Sequence, residues 1–91
     1  MLYLVNTKRK FNKIVAQAEG TMAIDFHYNF MVKTGQANED DFMTVSVNYE
    51  PFFEMFVAGA EGCDATDVMC ASDTEEKALN DFIEYWERTH G

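Results

Sequence analysis

The chain has 91 residues, of which 47% are hydrophobic and 13 are aromatic, and it carries a formal net charge of −9. So much apolar material excludes a disordered tail, and a chain of this length is expected to form one domain, residues 1–91. A domain of this size buries only ~60–65% of its unfolded surface, so its margin of stability is small. No stretch approaches the ~20 consecutive apolar residues of a membrane-spanning helix.

The charges are distributed unevenly along the chain. Four of the seven basic residues lie within six positions: Lys8, Arg9, Lys10 and Lys13. Residues 39–91, in contrast, hold fourteen acidic residues against two basic ones, a local balance of −12. Such a surface repels nucleic acid and anionic membranes and attracts basic protein partners, although in many acidic domains it serves solubility alone.

The beginning of the chain, "MLYLVNTKRK", lacks the charge order and the apolar length of a secretory signal. We therefore expect a cytoplasmic protein, located in the cytoplasm of the host cell if the chain is viral. In that compartment Cys63 and Cys70 are expected to be free thiols.

Residues 2–5 are expected to be either a short strand or a lead-in that packs on the core, and a helix is predicted over residues 7–19. Four apolar residues follow the i, i+3, i+4, i+7 spacing of one helix side: Phe11, Ile14, Val15 and Ala18. Gly20 then stands where a glycine commonly follows the end of a helix.

Strict alternation of apolar and polar residues predicts a strand over residues 22–33. Its apolar positions are Ile24, Phe26, Tyr28, Phe30 and Val32. Residues 34–41 are rich in turn-forming residues and are predicted to be a loop. A strand over residues 42–49 follows, and we expect it to pair antiparallel with the first.

Pro51 marks a break, a bulge or an edge, because proline has no N–H to donate to a strand ladder. Residues 52–58 are predicted to form a third strand that is apolar on both sides, with Phe52 and Phe56 on the second side. Either a partner covers this face of a central strand, or the segment is an edge that pairs with a second copy. Phe52 and Phe56 are therefore candidate partner-binding residues, and a homodimer is expected. Residues 59–72 are predicted to be a loop with room for a short strand at 67–70.

The last element is predicted to be a helix over residues 73–89. Ser72 and Glu75 have the spacing of a capping box, in which two side chains satisfy the first backbone N–H groups of a helix. The expected buried stripe consists of Leu79, Phe82, Ile83 and Trp86. The opposite side is polar and mainly acidic.

The predicted fold class is α+β: a small antiparallel meander of three to four strands, with an N-terminal and a C-terminal helix packed on one face, in the order α-β-β-β-α. This order resembles that of double-stranded RNA-binding domains, which hold phosphate with lysines at the start of the last helix. The corresponding stretch here, "SDTEEKA", is acidic. Direct binding of nucleic acid is therefore not expected.

No group of residues shows the spacing of a catalytic or metal site. Cys63 and Cys70 are separated by six residues, which is wider than the C-x₂₋₄-C pairs of zinc sites. His27 is predicted to lie between Asp25 and Asn29 on the polar side of a strand, but no nucleophile accompanies it. We expect no metal, no cofactor and no enzymatic activity; an enzyme without a recognisable motif is the weaker alternative.

The acidic clusters are the remaining candidate site. They are Glu39, Asp40 and Asp41 in the hairpin loop, Asp64 and Asp67 in the long loop, Asp73 and Glu76 at the start of the last helix, and Asp81, Glu84 and Glu87 along it. On one side of the molecule, such carboxylates can imitate duplex phosphates, which carry one charge per ~1.7 Å of axis. Small, acidic, motif-free phage inhibitors of host nucleases resemble this profile.

We therefore expect a non-enzymatic acidic protein that occludes a basic partner protein, as an anti-defence inhibitor acting through nucleic-acid mimicry. A generic protein-interaction or homo-oligomeric assembly domain is the alternative. In the simplest interpretation of the acidic residues, they form only a solvated helix face.

Overall fold

The computed structural model describes residues 1–10, 13–36, 38–60 and 69–90. Within these ranges, the elements in chain order are β1 (Leu2–Asn6), β2 (Ile14–Ala18), α1 (Thr21–Lys33), a 3₁₀ turn (Glu39–Asp41), β3 (Phe42–Glu50), β4 (Met55–Ala60), β5 (Cys70–Ser72) and α2 (Glu75–His90).

The strands form one antiparallel sheet in the order β2-β1-β3-β4-β5, which confirms the α+β class. From α1 onward the order is α-β-β-β-α as predicted, and two further strands, β1 and β2, precede it. The chain divides into two compact units, Met1–Thr44 and Val45–Gly91, with the boundary inside β3. That residues 1–91 form a single domain remains a prediction.

The first unit begins with a β-hairpin. β1 and β2 pair antiparallel with Leu2 opposite Ala18 and Leu4 opposite Ala16, and the register shifts after Leu4. The N–H of Asn6 donates to the carbonyl of Lys13 at 2.7 Å and extends the pairing. Of the two alternatives for residues 2–5, the strand is found, as β1. The helix predicted over residues 7–19 is wrong, because residues 14–18 hydrogen-bond as a strand with β1.

The strand predicted over residues 22–33 is also wrong, because Thr21–Lys33 is the helix α1. α1 packs against β1 and β2. Ile24 is its buried residue and forms the core of this unit with Leu2 and Leu4. Tyr28 packs at the margin of this core and meets the ring of Phe42 edge to face, with 5.6 Å between ring centroids.

Gly35 defines where the helix α1 ends. Gly35 has a φ of +73°, in the left-handed region that favours glycine. Its N–H donates to the carbonyl of Val32 at 3.2 Å, and the N–H of Gln36 donates to the carbonyl of Met31 at 3.0 Å. These two bonds form a Schellman motif, which satisfies carbonyls at the end of the helix. The loop predicted for 34–41 follows, and its last three residues form the 3₁₀ turn.

The second unit contains the β3–β4 hairpin. The strand predicted over residues 42–49 is confirmed as β3, in which Val45 and Val47 are buried. Of the alternatives at Pro51, the break is found, since a turn separates β3 from β4. The strand predicted over residues 52–58 begins later, at Met55, because the chain reverses through Pro51–Glu54, where the N–H of Glu54 donates to the carbonyl of Pro51 at 3.3 Å.

β4 lies between β3 and β5, so it is not the edge strand that one of our two interpretations required. Its register places Tyr49 opposite Phe56 on the β3 side and Ser72 opposite Phe56 on the β5 side. A short strand lies at Cys70–Ser72, which overlaps the strand expected at 67–70 only at Cys70. Residues 67 and 68 lie outside the described residues.

The C-terminal helix is confirmed as α2, which packs against β4 and β5. Its buried residues are Ala78, Leu79, Phe82 and Ile83, and Trp86 is half-buried. The capping box predicted for Ser72 and Glu75 is wrong, because Ser72 is a buried residue of β5. The side chain of Thr74 instead accepts a hydrogen bond from the N–H of Lys77 at 3.2 Å, as an N-cap residue does.

Candidate acidic interaction surface

The exposed side of α2 carries a row of carboxylates. Glu76, Glu84 and Glu87 are exposed, and their spacing of eight and three residues places them on one side of a helix with 3.6 residues per turn. Leu79 and Phe82, which are buried, lie on the opposite side. We call Glu76, Glu84 and Glu87 the acidic row. The amphipathic pattern of α2 therefore turns these charges outward, because its apolar side packs on the sheet.

The acidic row is sparse compared with nucleic acid. At 1.5 Å per residue, the eleven helical steps from Glu76 to Glu87 span ~16 Å of helix axis. One DNA strand places about five phosphates along such a length, at ~3.4 Å each. Three carboxylates can therefore replace only some of the phosphates that a DNA-binding protein contacts over this length.

Asp81 differs from the acidic row in its burial and in the effect of its charge on a residue of β5. It is half-buried and acts electrostatically on the Cys70 thiol, which is free. Burial raises the pKa of the Cys70 thiol, the charge of Asp81 raises that pKa further, and the charge of Arg88 lowers it. Asp81 and Arg88 therefore shape the surroundings of Cys70 as well as the charge of the helix surface.

The other predicted acidic residues have separate positions. Asp73 is exposed just before α2 and accepts a hydrogen bond from the hydroxyl of Ser72 at 3.2 Å. Asp64 and Asp67 lie outside the described residues, as does Cys63. Glu39, Asp40 and Asp41 belong to the first unit and form the 3₁₀ turn.

Within the 3₁₀ turn, the three acids are not equivalent. Glu39 and Asp40 are exposed. Asp41 is half-buried, and its carboxylate accepts a hydrogen bond from the N–H of Asn38 at 3.1 Å. Asp41 therefore holds the turn together, whereas Glu39 and Asp40 can be changed without removing this bond.

The two units differ in charge. Residues 1–44 contain five basic and five acidic residues and are neutral overall, whereas residues 45–91 contain two basic and eleven acidic ones. The second unit therefore carries the whole formal charge of −9. The field of this unit therefore favours the approach of positively charged molecules, because the field of a surface sums over its charges.

The predicted apolar site residues do not lie on one strand face. Phe52 is in the β3–β4 turn and is 83% exposed, whereas Phe56 is half-buried in β4. The ring of Phe56 meets that of Tyr49 edge to face at 5.2 Å, and Phe52 meets Phe53 in the same way at 4.9 Å. Phe53, which is 66% exposed beside Phe52, was not among the predicted site residues. The neighbouring Pro51 was the signal that could have indicated an exposed turn at Phe53, because proline favours turns.

His27 does not have the position that the sequence suggested. It is exposed on α1, where its ring meets that of Phe26 edge to face at 6.0 Å. Asp25 and Asn29 are two residues away on the same helix, and residues with this spacing do not face each other. The polar trio that could have oriented an imidazole is therefore not formed.

Two further findings concern the described part of the chain. It contains no group of three or more His, Cys, Asp or Glu residues arranged to hold a metal ion. Neither of its helices is both long enough and apolar enough to cross a membrane.

No protein-family model, curated protein or solved structure matches this chain.

Proposed function

We propose that this chain is a non-enzymatic binding protein that occludes a basic surface of a partner protein with the acidic side of its second unit. The observation that carries the proposal is the acidic row of α2, which faces solvent on a unit with a net charge of −9. A helix that is packed on the sheet holds its carboxylates in fixed positions. Its binding to a complementary basic surface therefore costs less conformational freedom than the binding of a mobile acidic tail would.

Inhibition by nucleic-acid mimicry is the finer form of this proposal. A partner that handles nucleic acid has a basic groove, and an acidic protein seated there excludes the substrate. The sparse spacing of the acidic row means that mimicry needs additional carboxylates, and Asp73 and Asp81 are the other predicted partner-binding residues on or next to α2. Asp64 and Asp67 also belong to this proposed partner-binding set. Glu39, Asp40 and Asp41 lie on the neutral first unit and are left out of it.

Cytoplasmic location, including that of a host cell for a viral chain, belongs to the same proposal. So does the use of the protein against a host defence enzyme.

Capture experiments test the proposal. The tagged chain is incubated with a lysate of its native host at about 50 mM salt, where surface charges are weakly screened, and bound protein is eluted with rising salt. We expect a partner that elutes below about 300 mM salt and that excess duplex DNA displaces. Elution by salt without displacement by DNA would support the occlusion of a basic surface and contradict mimicry.

The exposed aromatic turn supports a second candidate function, a generic protein-interaction domain. Phe52 and Phe53 are exposed side by side, and aromatic side chains of this kind often dominate the energy of an interface. Binding through this turn would hardly respond to salt. Exchanging both residues for serine would abolish it, and exchanging the acidic row would not.

A further inference from the structure

An apolar stripe runs along the exposed side of α1. Met22, Phe26 and Phe30 recur every four residues, and they are 86%, 68% and 54% exposed. The opposite side of α1 holds Ile24 and Tyr28, which face the core of the first unit. A helix that is apolar on both sides is normally covered on both sides, so the exposed stripe indicates a docking surface.

The charges at the two ends of the stripe indicate what docks there. Glu19 is exposed just before α1, and Lys33 is exposed in its last turn. An acid therefore stands at one end of the stripe and a base at the other. The first unit as a whole is neutral, so two copies of this surface do not repel each other as two copies of the acidic second unit would.

We propose that a second copy of this chain docks on the stripe, with the two α1 helices antiparallel about a twofold axis at Phe26. In this arrangement Phe26 meets its own counterpart, Met22 meets Phe30 of the other copy, and Glu19 meets Lys33 of the other copy at both ends. A twofold interface requires such self-complementarity. The surface lies on α1 and not on Phe52 and Phe56, where the sequence placed a homodimer.

The size of the stripe sets the strength of the dimer. At ~200 Å² for a large apolar side chain, the exposed fractions of the three residues offer on the order of 400 Å² per copy. The total of about 800 Å² is below the ~1,200 Å² of a standard stable interface. The dimer is therefore weak and depends on protein concentration.

Sedimentation equilibrium between about 10 µM and 1 mM tests the proposal. The wild-type chain is expected to shift from monomer to dimer across this range. Phe26→Lys places two lysines opposite each other at the axis and is expected to weaken dimerisation at least ~tenfold. Phe52→Lys, an equally drastic change at another exposed phenylalanine, is the matched control and is expected to leave dimerisation unchanged within about twofold.

A charge exchange tests the antiparallel register. Lys33→Glu alone places like charges together and weakens the dimer, whereas Glu19→Lys combined with Lys33→Glu restores the pairing and the wild-type affinity. Circular dichroism confirms that each variant remains folded. A wild-type chain that stays monomeric at 1 mM would overturn the proposal. A dimer that survives Phe26→Lys and is lost in Phe52→Lys would also overturn it.

Discussion

Thr7 donates two hydrogen bonds to the same acceptor, the backbone carbonyl of Asp41, which lies 34 residues further along the chain. Its N–H donates at 2.7 Å and its hydroxyl at 3.0 Å. Both residues belong to the first unit, so this pair of hydrogen bonds connects the turn after β1 to the 3₁₀ turn before β3. The acidic 3₁₀ turn is thereby held at its last residue.

Thr7→Val should destabilise the fold by about 1 kcal/mol, because it keeps the size of the side chain and removes the donating hydroxyl. Thr7→Ser keeps the hydroxyl and is the matched control, which we expect within about 0.5 kcal/mol of wild type. Urea denaturation followed by circular dichroism measures both. Equal stability of the valine variant and wild type would show that the hydroxyl bond contributes nothing.

Ile24 and Phe26 distinguish the helix from the strand that the sequence predicted. In a strand both would lie on the same face, whereas in α1 Ile24 is 2% exposed and Phe26 is 68% exposed. Ile24→Ala should therefore cost about 2–4 kcal/mol, and Phe26→Ala should change stability by less than about 0.5 kcal/mol. Thermal unfolding at micromolar protein concentration measures both, and similar losses for the two variants would contradict the helix.

The prediction for residues 22–33 failed because the alternation is real but ambiguous. Apolar residues at every second position are spread around a helix, and here they serve both the core side with Ile24 and the exposed stripe with Phe26 and Phe30. No proline interrupts the segment, and Gly35 provides the left-handed residue that ends a helix. Those two signals favour the helix α1, but the prediction of a strand followed the period of the apolar residues.

The prediction for residues 7–19 failed for a different reason. The spacing of Ile14, Val15 and Ala18 fits one side of a helix, but this segment pairs with β1 instead. Ile14 and Val15 are β-branched and favour strands, and pairing with a partner strand often overrides a weak local preference. Gly20, which we interpreted as the end of that helix, is instead the residue that precedes α1.

The elements of the second unit could be predicted because their signals agree. β3 alternates, Pro51 interrupts it, and α2 combines an apolar stripe with acidic residues at its start. The candidate site follows from the same pattern, since the side of α2 opposite Leu79 had to be exposed. The position of Asp81 beside Cys70 could not be predicted, because it depends on how α2 packs on β5.

The reactivity of Cys70 should depend on pH in a way that Asp81 and Arg88 control. Burial and Asp81 raise the pKa of the thiol, so alkylation by iodoacetamide should reach half its maximal rate at a higher pH than in an unfolded peptide. Asp81→Asn should lower this midpoint, and Arg88→Gln should raise it. The measurement uses a Cys63→Ser background, so that one thiol reacts.

The same raised pKa links Cys70 to stability. The folded state binds the thiol proton more tightly than the unfolded state, so its contribution is fully present below the unfolded pKa and is lost as the pH rises through the folded pKa. Cys70→Ser should therefore flatten the fall in stability at alkaline pH. Identical alkaline profiles for this variant and wild type would contradict the link.

Neutralising the acidic row of α2 tests the proposal that this row binds a basic partner. The variant Glu76→Gln, Glu84→Gln and Glu87→Gln keeps the shape of the side chains and removes three charges. Glu39→Gln with Asp40→Asn is the control for loss of charge elsewhere, since it spares the hydrogen bond of Asp41. Both are compared with wild type for the affinity of the captured host partner at about 100 mM salt.

We expect the α2 variant to lose at least ~tenfold in affinity and the control variant to lose less than about threefold. The remaining affinity of the α2 variant should also depend less on salt, because fewer charge contacts are left to screen. A complex that keeps its affinity and its salt dependence after neutralisation of the acidic row would contradict the proposal that this row binds the partner.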